Sequence, residues 1–503
     1  MVWWGYKAMG KVVGASARTG ADVGETLGAR AALYAAGRGA RRGFLAPGDP
    51  TPPPTARADY LDYRGVAPWS EAKPLAGCEF PLGRFTDLEK GGRARDGIGL
   101  PAEVLARHSV IVGPAGSGKT HSLIVPWIHA ALVAGWSVVA LDVKGDLRDE
   151  YLSFKEATDS GALGARLTQW DFTDSRRSTP WEWLGELRDD ARVDAAITAL
   201  LGRRPEQSSA DPFFYQRDYR TLRGLLLFAR AALPECRTAG DLIRLLEDDT
   251  ALEQLVAGHR GAPGASDVQS VLRLTGSEYA KAISGVVTAL SLLDNRAVDA
   301  ITRASASRPS LDLARCLDEH GLLIVGAPLR GGEVSATLAG LMVNQLAQRL
   351  YERFGSRRRP VLLVIDEAPQ VVDRVDIAQL MEVARSAGVG IVAAMQDVAQ
   401  IKDENDRSSI LSNAAAFAIL PGASPTSVEE FGRRLGQRFE RTSGLTTGGG
   451  STSQTFGTES VPVLREREIM HPPFGARAAV IHVKAPELGV TSKPVLVDMH
   501  RGD

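Results

Sequence analysis

Short, uninterrupted apolar runs are the most regular feature of this chain, and they alternate with stretches in which apolar residues recur every three to four positions. Such runs stand at residues 109–112, 137–141, 321–326 and 361–365. Runs of this length, rich in Val, Ile and Leu, are typical of strands buried on both faces. The helical spacing between them suits the crossovers that parallel strands need. The pattern therefore predicts an α/β fold with a mostly parallel sheet.

The middle of the chain departs from this alternation. Residues 185–310 carry helical spacing almost throughout, as in residues 221–227, and little strand signal. We expect an all-α insertion domain over residues 185–310, with the α/β domain formed by residues 75–184 and 311–490. A later segment dominated by Gly, Ser and Thr, residues 443–460, is predicted to be a mobile loop.

The first 60 residues form a separate region in this prediction. Residues 1–44 contain seven basic residues against two acidic ones, with Trp3 and Trp4 near the start. Such a basic N-terminal arm suits an interfacial or docking segment, and simple disorder is at least as good an alternative. The proline-rich run at residues 47–54 cannot continue a helix and is typical of a semi-rigid linker.

Composition narrows the class of protein. The 503 residues are 44% hydrophobic with a formal net charge of −1, which excludes a globally basic nucleic-acid binder. The three cysteines, Cys78, Cys236 and Cys316, lack C-x-x-C spacing, so neither a zinc site nor a disulfide framework is indicated. No apolar stretch approaches the roughly 18 residues that cross a bilayer. We expect a cytoplasmic chain without a transmembrane segment, with a peripheral position at the inner face of the cell membrane left open.

The strongest chemical signal is the segment Gly-Pro-Ala-Gly-Ser-Gly-Lys-Thr at residues 113–120, which matches G-x-x-x-x-G-K-[ST] directly after the apolar run 109–112. In this motif glycines let backbone N–H groups converge on a triphosphate, while lysine supplies a point charge and threonine a hydroxyl for Mg²⁺. An ordinary glycine turn is the alternative. We expect ATP and Mg²⁺ as cofactors. The predicted nucleotide-binding residues are Gly113, Pro114, Ala115, Gly116, Ser117, Gly118, Lys119, Thr120 and His121, with Lys119 also catalytic and Thr120 also a metal ligand.

A second signal lies far downstream, where the apolar run 361–365 ends in Asp366 and Glu367. Carboxylates at the carboxyl end of a buried strand stand where α/β sheets bind ligands. Asp366 is suited to hold Mg²⁺, and Glu367 to polarise the water that attacks the γ-phosphate. The alternative is that both acids only solvate the end of a strand.

Further motifs accompany the phosphate-binding loop. Residues 139–146 are Val-Ala-Leu-Asp-Val-Lys-Gly-Asp, and residues 384–397 contain Ala-Arg-Ser-Ala-Gly and end in Gln-Asp. Residues 410–413 are Ile-Leu-Ser-Asn, and Pro126 interrupts the helix expected after the loop. This set resembles the D-P-K-G-E, A-R-S-x-G…Q-D and I-x-x-N motifs of the TraG/TraD family of type IV coupling proteins, the hexameric ATPases of conjugation and type IV secretion.

The resemblance covers about residues 75–490 and implies a RecA-like P-loop ATPase core that carries an all-α domain. It also implies a ring, a homo-hexamer, with nucleotide at the subunit interfaces. Val143 and Asp146 depart from the D-P-K-G-E signature. Family members typically begin with transmembrane helices, for which this sequence shows no signal, so a separate membrane anchor is an open question.

Four motif residues receive expected roles from this resemblance. Gln396, at the end of a predicted strand, is expected to sense the γ-phosphate, or else to be an amide satisfied within the core. Arg385, at the end of a helix, is expected to act as an arginine finger toward an adjacent subunit, or else to form a structural salt bridge. Asp142 and Lys144 are expected to line either the nucleotide site or the subunit interface.

The leading functional hypothesis is an ATP-driven DNA translocase and cargo receptor for conjugative transfer. Its expected partners are single-stranded DNA, an attached relaxase or other secreted protein, and components of the type IV secretion channel. The runner-up is a soluble FtsK- or HerA-like motor on double-stranded DNA in segregation, repair or defence. A third reading is a non-enzymatic adaptor that binds nucleotide for assembly and recruits protein cargo.

Overall fold

The computed structural model describes residues 80–87, 93–157, 165–203, 212–355, 358–448, 451–472, 478–485 and 494–499. The chain divides into two compact units. The first comprises Met1–Gly135, Asp149–Leu163 and Gly390–Asp503, and the second Trp136–Arg148 and Gly164–Val389. The predicted basic arm and its proline-rich linker lie outside the described residues.

The strands, in chain order, are β1 Phe80–Asp87, β2 Arg93–Leu100, β3 Ser109–Val112, β4 Ser137–Asp142, β5 Arg166–Asp171, β6 Gly321–Gly326, β7 Val361–Asp366, β8 Val389–Met395, β9 Ala416–Ile419, β10 Gln437–Gly448, β11 Ser451–Pro462, β12 Ala478–Val483 and β13 Val495–Asp498. The α-helices of the α/β regions are α1 Ala102–Leu105, α2 Val125–Val133, α3 Leu147–Ala157, α11 Leu313–Asp318, α12 Gly332–Tyr351, α13 Ile377–Ala384, α14 Glu404–Asn413, α15 Pro425–Leu435 and α16 Glu466–Met470. Those of the middle segment are α4 Asp190–Leu201, α5 Pro212–Ala232, α6 Ala239–Glu247, α7 Asp249–Gly258, α8 Ala265–Leu272, α9 Ser277–Ser291 and α10 Arg296–Thr302.

In the first unit the strand order is β2-β1-β13-β12-β9-β3-β8. Strand β3 is parallel to both neighbours, with Ser109 opposite Val392 of β8 and Ala416 of β9. All four residues of β3 and all seven of β8 are buried. The strands from β12 to β2 are antiparallel instead. The mostly parallel core is thus confirmed around β3, while this antiparallel extension was not anticipated, because direction of pairing leaves no local mark on the sequence.

In the second unit the strand order is β7-β4-β6-β5, and every neighbouring pair is parallel. Every residue of β4 and of β7 is buried. Because the strands are parallel, their carboxyl ends meet at one edge of this part of the sheet. That edge is where Asp142 ends β4 and Asp366 ends β7.

The helices α4 to α10 fill the middle segment, where the described residues form no named strand. Side chains that suit helix N-termini stand where several of these helices begin: Asp189 accepts from Arg192 N ahead of α4, and Thr238 forms a reciprocal capping box with Asp241 ahead of α6. Each such cap satisfies backbone N–H groups that the first turn of a helix leaves without intrahelical partners.

Helix α12 connects to this helical segment through polar side chains. The Asn344 amide donates to Ala195 O at 3.2 Å, and the Gln345 amide donates to Arg192 O at 2.9 Å. Arg349 forms a buried ion pair with Glu186 at 2.7 Å. Ala195 and Arg192 lie on α4, and Glu186 lies a few residues before it, so these polar contacts hold α12 against the start of the helical segment.

The Gly/Ser/Thr-rich segment was wrongly predicted to be a loop. Most of residues 443–460 belong to β10 and β11, which pair antiparallel with each other from Gln437 opposite Pro462 to Gly448 opposite Ser451. Threonines are frequent in both strands, and a β-branched side chain favours extended backbone. Composition therefore suggested a loop where residue type favoured a hairpin.

No helix in the described ranges combines the length and the apolar character that crossing a membrane requires.

One buried histidine gives the first unit a testable pH dependence. His129 on α2 is 3% exposed, its Nδ1 has no hydrogen-bond partner among the described residues, and its ring meets the edge of Phe154 at a centroid distance of 5.2 Å. Burial, reinforced by the charge of Lys155, lowers the pKa of His129 from 6.5 to about 4. The imidazole is therefore neutral in the folded protein at pH 7.

We expect the parent protein to lose stability as the pH falls from 6.5 toward 4, because the unfolded chain protonates His129 in this window while the folded protein does not. The loss should be roughly 3 kcal/mol relative to His129→Leu, which has no proton to bind there. Urea denaturation at several pH values measures it. A parallel decline in both proteins would contradict the assignment.

Candidate functional site

The phosphate-binding loop is built from backbone constraints that the sequence anticipates. It follows β3, and Gly116 and Gly118 adopt left-handed φ values of 76° and 92°. Residues with a Cβ reach this region only with strain. Gly113 is needed for a different reason: a Cβ there would lie 2.7 Å from Leu420 Cβ and 2.8 Å from Ser117 Oγ. The loop is therefore closely packed at its start and sharply turned at its end.

The helix after the loop opens as a π-helix, Lys119–Ile124, and continues as α2 from Val125. Val125 N–H donates to Thr120 O, which is the wider i→i−5 spacing. Pro126, which has no N–H, follows at once in the first turn of α2. The predicted interruption at Pro126 is thus accommodated at the π-to-α junction, where the residue avoids the cost of about 3 kcal/mol of an interior position.

Lys119 and Thr120 are buried, at 4% and 5% exposure, at the start of this π-helix. The Lys119 ammonium donates to Gly113 O and, at 3.2 Å, to Pro114 O. The lysine thus lies across its own loop, where a phosphate oxygen would compete with those two carbonyls for its protons. His121 lies on the next position, with Nδ1 4.0 Å from Glu150 Oε2 of α3.

Gln396 belongs to the same unit and immediately follows β8. Its neighbour Met395 pairs with Val112 and accepts a hydrogen bond from Gly113 N at 3.2 Å. The register of β3 and β8 therefore brings Gln396 to the edge from which the phosphate-binding loop leaves the sheet. Its side chain is half-buried.

The second unit carries the two acids at the end of β7. Asp366 is 0% exposed and Glu367 2% exposed. Glu367 has a φ of 81°, a left-handed conformation that costs a residue other than glycine of order 1–3 kcal/mol. Strain of this kind persists only where the surrounding structure enforces it.

Asp142 has a role that the sequence left open. Its Oδ1 accepts from Lys144 N at 3.1 Å and Gly145 N at 2.7 Å, and its Oδ2 accepts from Leu147 N at 3.1 Å. Burial raises the pKa of Asp142 to about 6, against the opposing effect of these hydrogen bonds. Asp142 therefore shapes the turn after β4, and its carboxylate oxygens are directed at backbone.

Lys144 extends from that turn to the neighbouring strand end, with Nζ 3.5 Å from Asp366 Oδ2. At the departures from the D-P-K-G-E pattern, Val143 is buried at 2% exposure and Asp146 is exposed. Arg385 lies at the C-terminus of α13, is exposed, and forms no ion pair with any residue that the structure describes.

A further acid at the same edge of the sheet was not predicted from the sequence. Asp171 ends β5 and is 7% exposed, and its carboxylate accepts from Thr173 N and Oγ1 at 2.6 and 2.9 Å. A Cβ at Gly326 would lie 2.6 Å from Asp171 Cγ, so the glycine makes room for it. Asp366 was predicted because it ends a buried strand. The same reasoning would have identified Asp171 if β5 had been predicted as a strand.

The described residues contain no group of three or more His, Cys, Asp or Glu side chains arranged to hold a metal ion. The predicted site residues fall into two sets. Residues 113–121 and Gln396 belong to the first unit, and Asp366, Glu367 and Arg385 to the second.

A parallel α/β core with a glycine-rich loop leading from a buried strand into a helix, and with buried acids ending other strands, defines the class of P-loop nucleotide-binding proteins. Within that class, the family model of type IV secretory system conjugative DNA transfer matches residues 82–481. The chain belongs to this family. The resemblance to coupling proteins is thereby confirmed, and the FtsK- or HerA-like alternative is not favoured.

Solved structures of the coupling protein TrwB show the same fold. Unbound TrwBΔN70 is 17% identical, with a TM-score of 0.61 over 80% of this chain and 87% of that chain. TrwB with the ATP analogue ADPNP is 17% identical, with a TM-score of 0.57 over 84% and 95%. TrwB with ADP and Mg²⁺ is 16% identical, with a TM-score of 0.58 over 81% and 88%. These likenesses confirm the predicted RecA-like fold. Among curated proteins, none matches the chain significantly.

The close packing at Gly113 predicts that Gly113→Ala displaces the loop, because the new methyl group would collide with Leu420. We expect binding of a fluorescent ADP analogue to weaken about tenfold, the equivalent of about 1.4 kcal/mol. The matched control is Gly432→Ala on α15, where an added Cβ would meet nothing within 4 Å. Equal affinities in the two variants would contradict the geometry.

Proposed function

We propose that this protein is an ATP-hydrolysing coupling protein that recruits DNA, with attached protein, and translocates it to a type IV secretion channel. The observation that carries the proposal is a fully formed phosphate-binding loop in a chain of the conjugative DNA transfer family. The loop would be part of the site that hydrolyses ATP. Membership of the family indicates that this hydrolysis serves conjugative DNA transfer.

The residues present fit a magnesium nucleotide. The loop has a start so tightly packed that it leaves no room for a Cβ at Gly113, and it is followed by a buried lysine and a buried threonine hydroxyl. Backbone N–H groups of residues 113–120 and the Lys119 ammonium would bind the phosphates, with His121 beside them. Thr120 and Asp366 would hold Mg²⁺, which, when bound, neutralises charge that develops on the phosphates.

Glu367 is proposed to orient and polarise the attacking water, since its carboxylate is buried and its backbone is held in a strained conformation. Gln396 is proposed to respond to the γ-phosphate, supported by the register that places it beside the start of the loop. Arg385 is proposed as an arginine finger toward a second copy in a homo-hexameric ring. Its exposure and its lack of an ion pair among the described residues support this role over a structural salt bridge.

The all-α domain over residues 185–310 is proposed to contact the cargo complex. Phe213 and Phe214, at the start of α5, are 66% and 51% exposed, and adjacent aromatic rings exposed to this extent are typical of interaction sites. Single-stranded DNA with a relaxase is the proposed cargo. The basic N-terminal arm is proposed to place the protein at the inner face of the membrane, beside the channel.

ATP hydrolysis by the purified protein, measured with single-stranded DNA, with double-stranded DNA and without DNA, tests the proposal. We expect single-stranded DNA to stimulate hydrolysis most, with the stimulation lost steeply as salt increases. Equal rates in all three conditions would contradict coupling to DNA. A preference for double-stranded DNA would favour the FtsK- or HerA-like class.

Two variants separate an ATPase from a nucleotide-binding adaptor. We expect Lys119→Ala to lose nucleotide binding, because the buried ammonium is the loop's point charge. We expect Glu367→Gln to bind nucleotide while hydrolysis falls on the order of a hundredfold to ten-thousandfold. DNA transfer in cells that carry Glu367→Gln decides between them, since undiminished transfer would support the adaptor.

A further inference from the structure

The turn after β4 is built to present one side chain. Three backbone N–H groups converge on the Asp142 carboxylate, which holds residues 142–147 in a fixed loop. Gly145 has a φ of 89°, and the nearest atom to a Cβ there would be Pro328 Cβ at 3.9 Å. The glycine is therefore required for backbone conformation and not for space. Lys144, between these two anchors, has a fixed backbone and a long, flexible side chain.

That side chain ends at the acid of the adjacent strand. Lys144 Nζ lies 3.5 Å from Asp366 Oδ2, and the two side chains are exposed to very different extents, 39% for the lysine and 1% for the aspartate. A buried carboxylate is costly unless a cation accompanies it. Lys144 provides such a cation and can withdraw toward solvent along its own stem.

We propose that Lys144 is a positioning residue that serves as the internal counter-cation of Asp366, and that Mg²⁺ must displace it. The inference rests on the proposed function, in which Asp366 helps to hold Mg²⁺. An ammonium and a divalent cation beside one carboxylate repel each other, so the lysine raises the magnesium concentration that the nucleotide complex needs. The turn anchored by Asp142 and Gly145 thereby sets the threshold for metal binding.

Dissociation of a fluorescent, non-hydrolysable ATP analogue, measured over a series of free Mg²⁺ concentrations, tests this without turnover. For Lys144→Met we expect the half-saturating Mg²⁺ concentration to fall about fivefold, the range of a partly exposed ion pair. Lys144→Arg, which keeps the positive charge, should retain the parental half-saturating Mg²⁺ concentration. The matched control is Lys281→Met, an exposed lysine on α9 in the same unit.

A substitution that changes the backbone beside Lys144 provides a second test. Gly145→Ala strains the left-handed turn and should move Lys144 away from Asp366, so it should lower the half-saturating Mg²⁺ concentration in the same direction. In both variants Mg²⁺ with nucleotide should raise the melting temperature by more than it does in the parent, because the charge of Lys144 no longer lies beside the Asp366 carboxylate.

The outcomes distinguish the inference from the function on which it rests. A parent protein whose nucleotide complex responds to Mg²⁺, with Lys144→Met and Gly145→Ala unchanged or requiring more Mg²⁺, overturns the role of Lys144 alone. A parent whose nucleotide complex does not respond to Mg²⁺ overturns both.

Discussion

Burial of the central strands on both faces is the constraint on which the rest of the structure depends. Every residue of β3, β4, β7 and β8 is buried, so the side chains along the body of these strands are not available to a ligand. Chemistry is confined to the last residue of a strand and to the residues that follow it. In the first unit these form the phosphate-binding loop and Gln396, and in the second they are Asp366, Glu367 and the turn that carries Lys144.

The features that the sequence predicted well are those fixed by short-range backbone requirements. The loop of residues 113–120 needs left-handed glycines at set positions, and a continuous apolar run ending in Asp366 and Glu367 needs only the burial of one strand. These constraints are local, so they can be recognised from the order of residue types along a short segment. The same holds for the helical segment, which was predicted from apolar residues that recur at helical spacing.

The features that escaped prediction depend on partners distant in sequence. Whether β12 runs parallel or antiparallel to β9 is decided by tertiary contacts. The role of Asp142 follows from three backbone N–H groups that converge on it, and the ion pair of Lys144 with Asp366 joins residues more than two hundred positions apart. Neither arrangement produces a periodic pattern of residues in the sequence. Composition gave a wrong prediction in one case, because glycine and serine suggested a loop where β10 and β11 form a hairpin.

We propose that binding of a magnesium nucleotide needs both Lys119 and Asp366. Electron paramagnetic resonance of Mn²⁺, used in place of Mg²⁺ with a non-hydrolysable ATP analogue, reports directly on metal retained by the protein. We expect bound Mn²⁺ in the parent and in the control Asp171→Asn, which changes a carboxylate that accepts from Thr173, and loss of bound Mn²⁺ in Lys119→Ala and Asp366→Asn. Parental retention of Mn²⁺ by Asp366→Asn would contradict it.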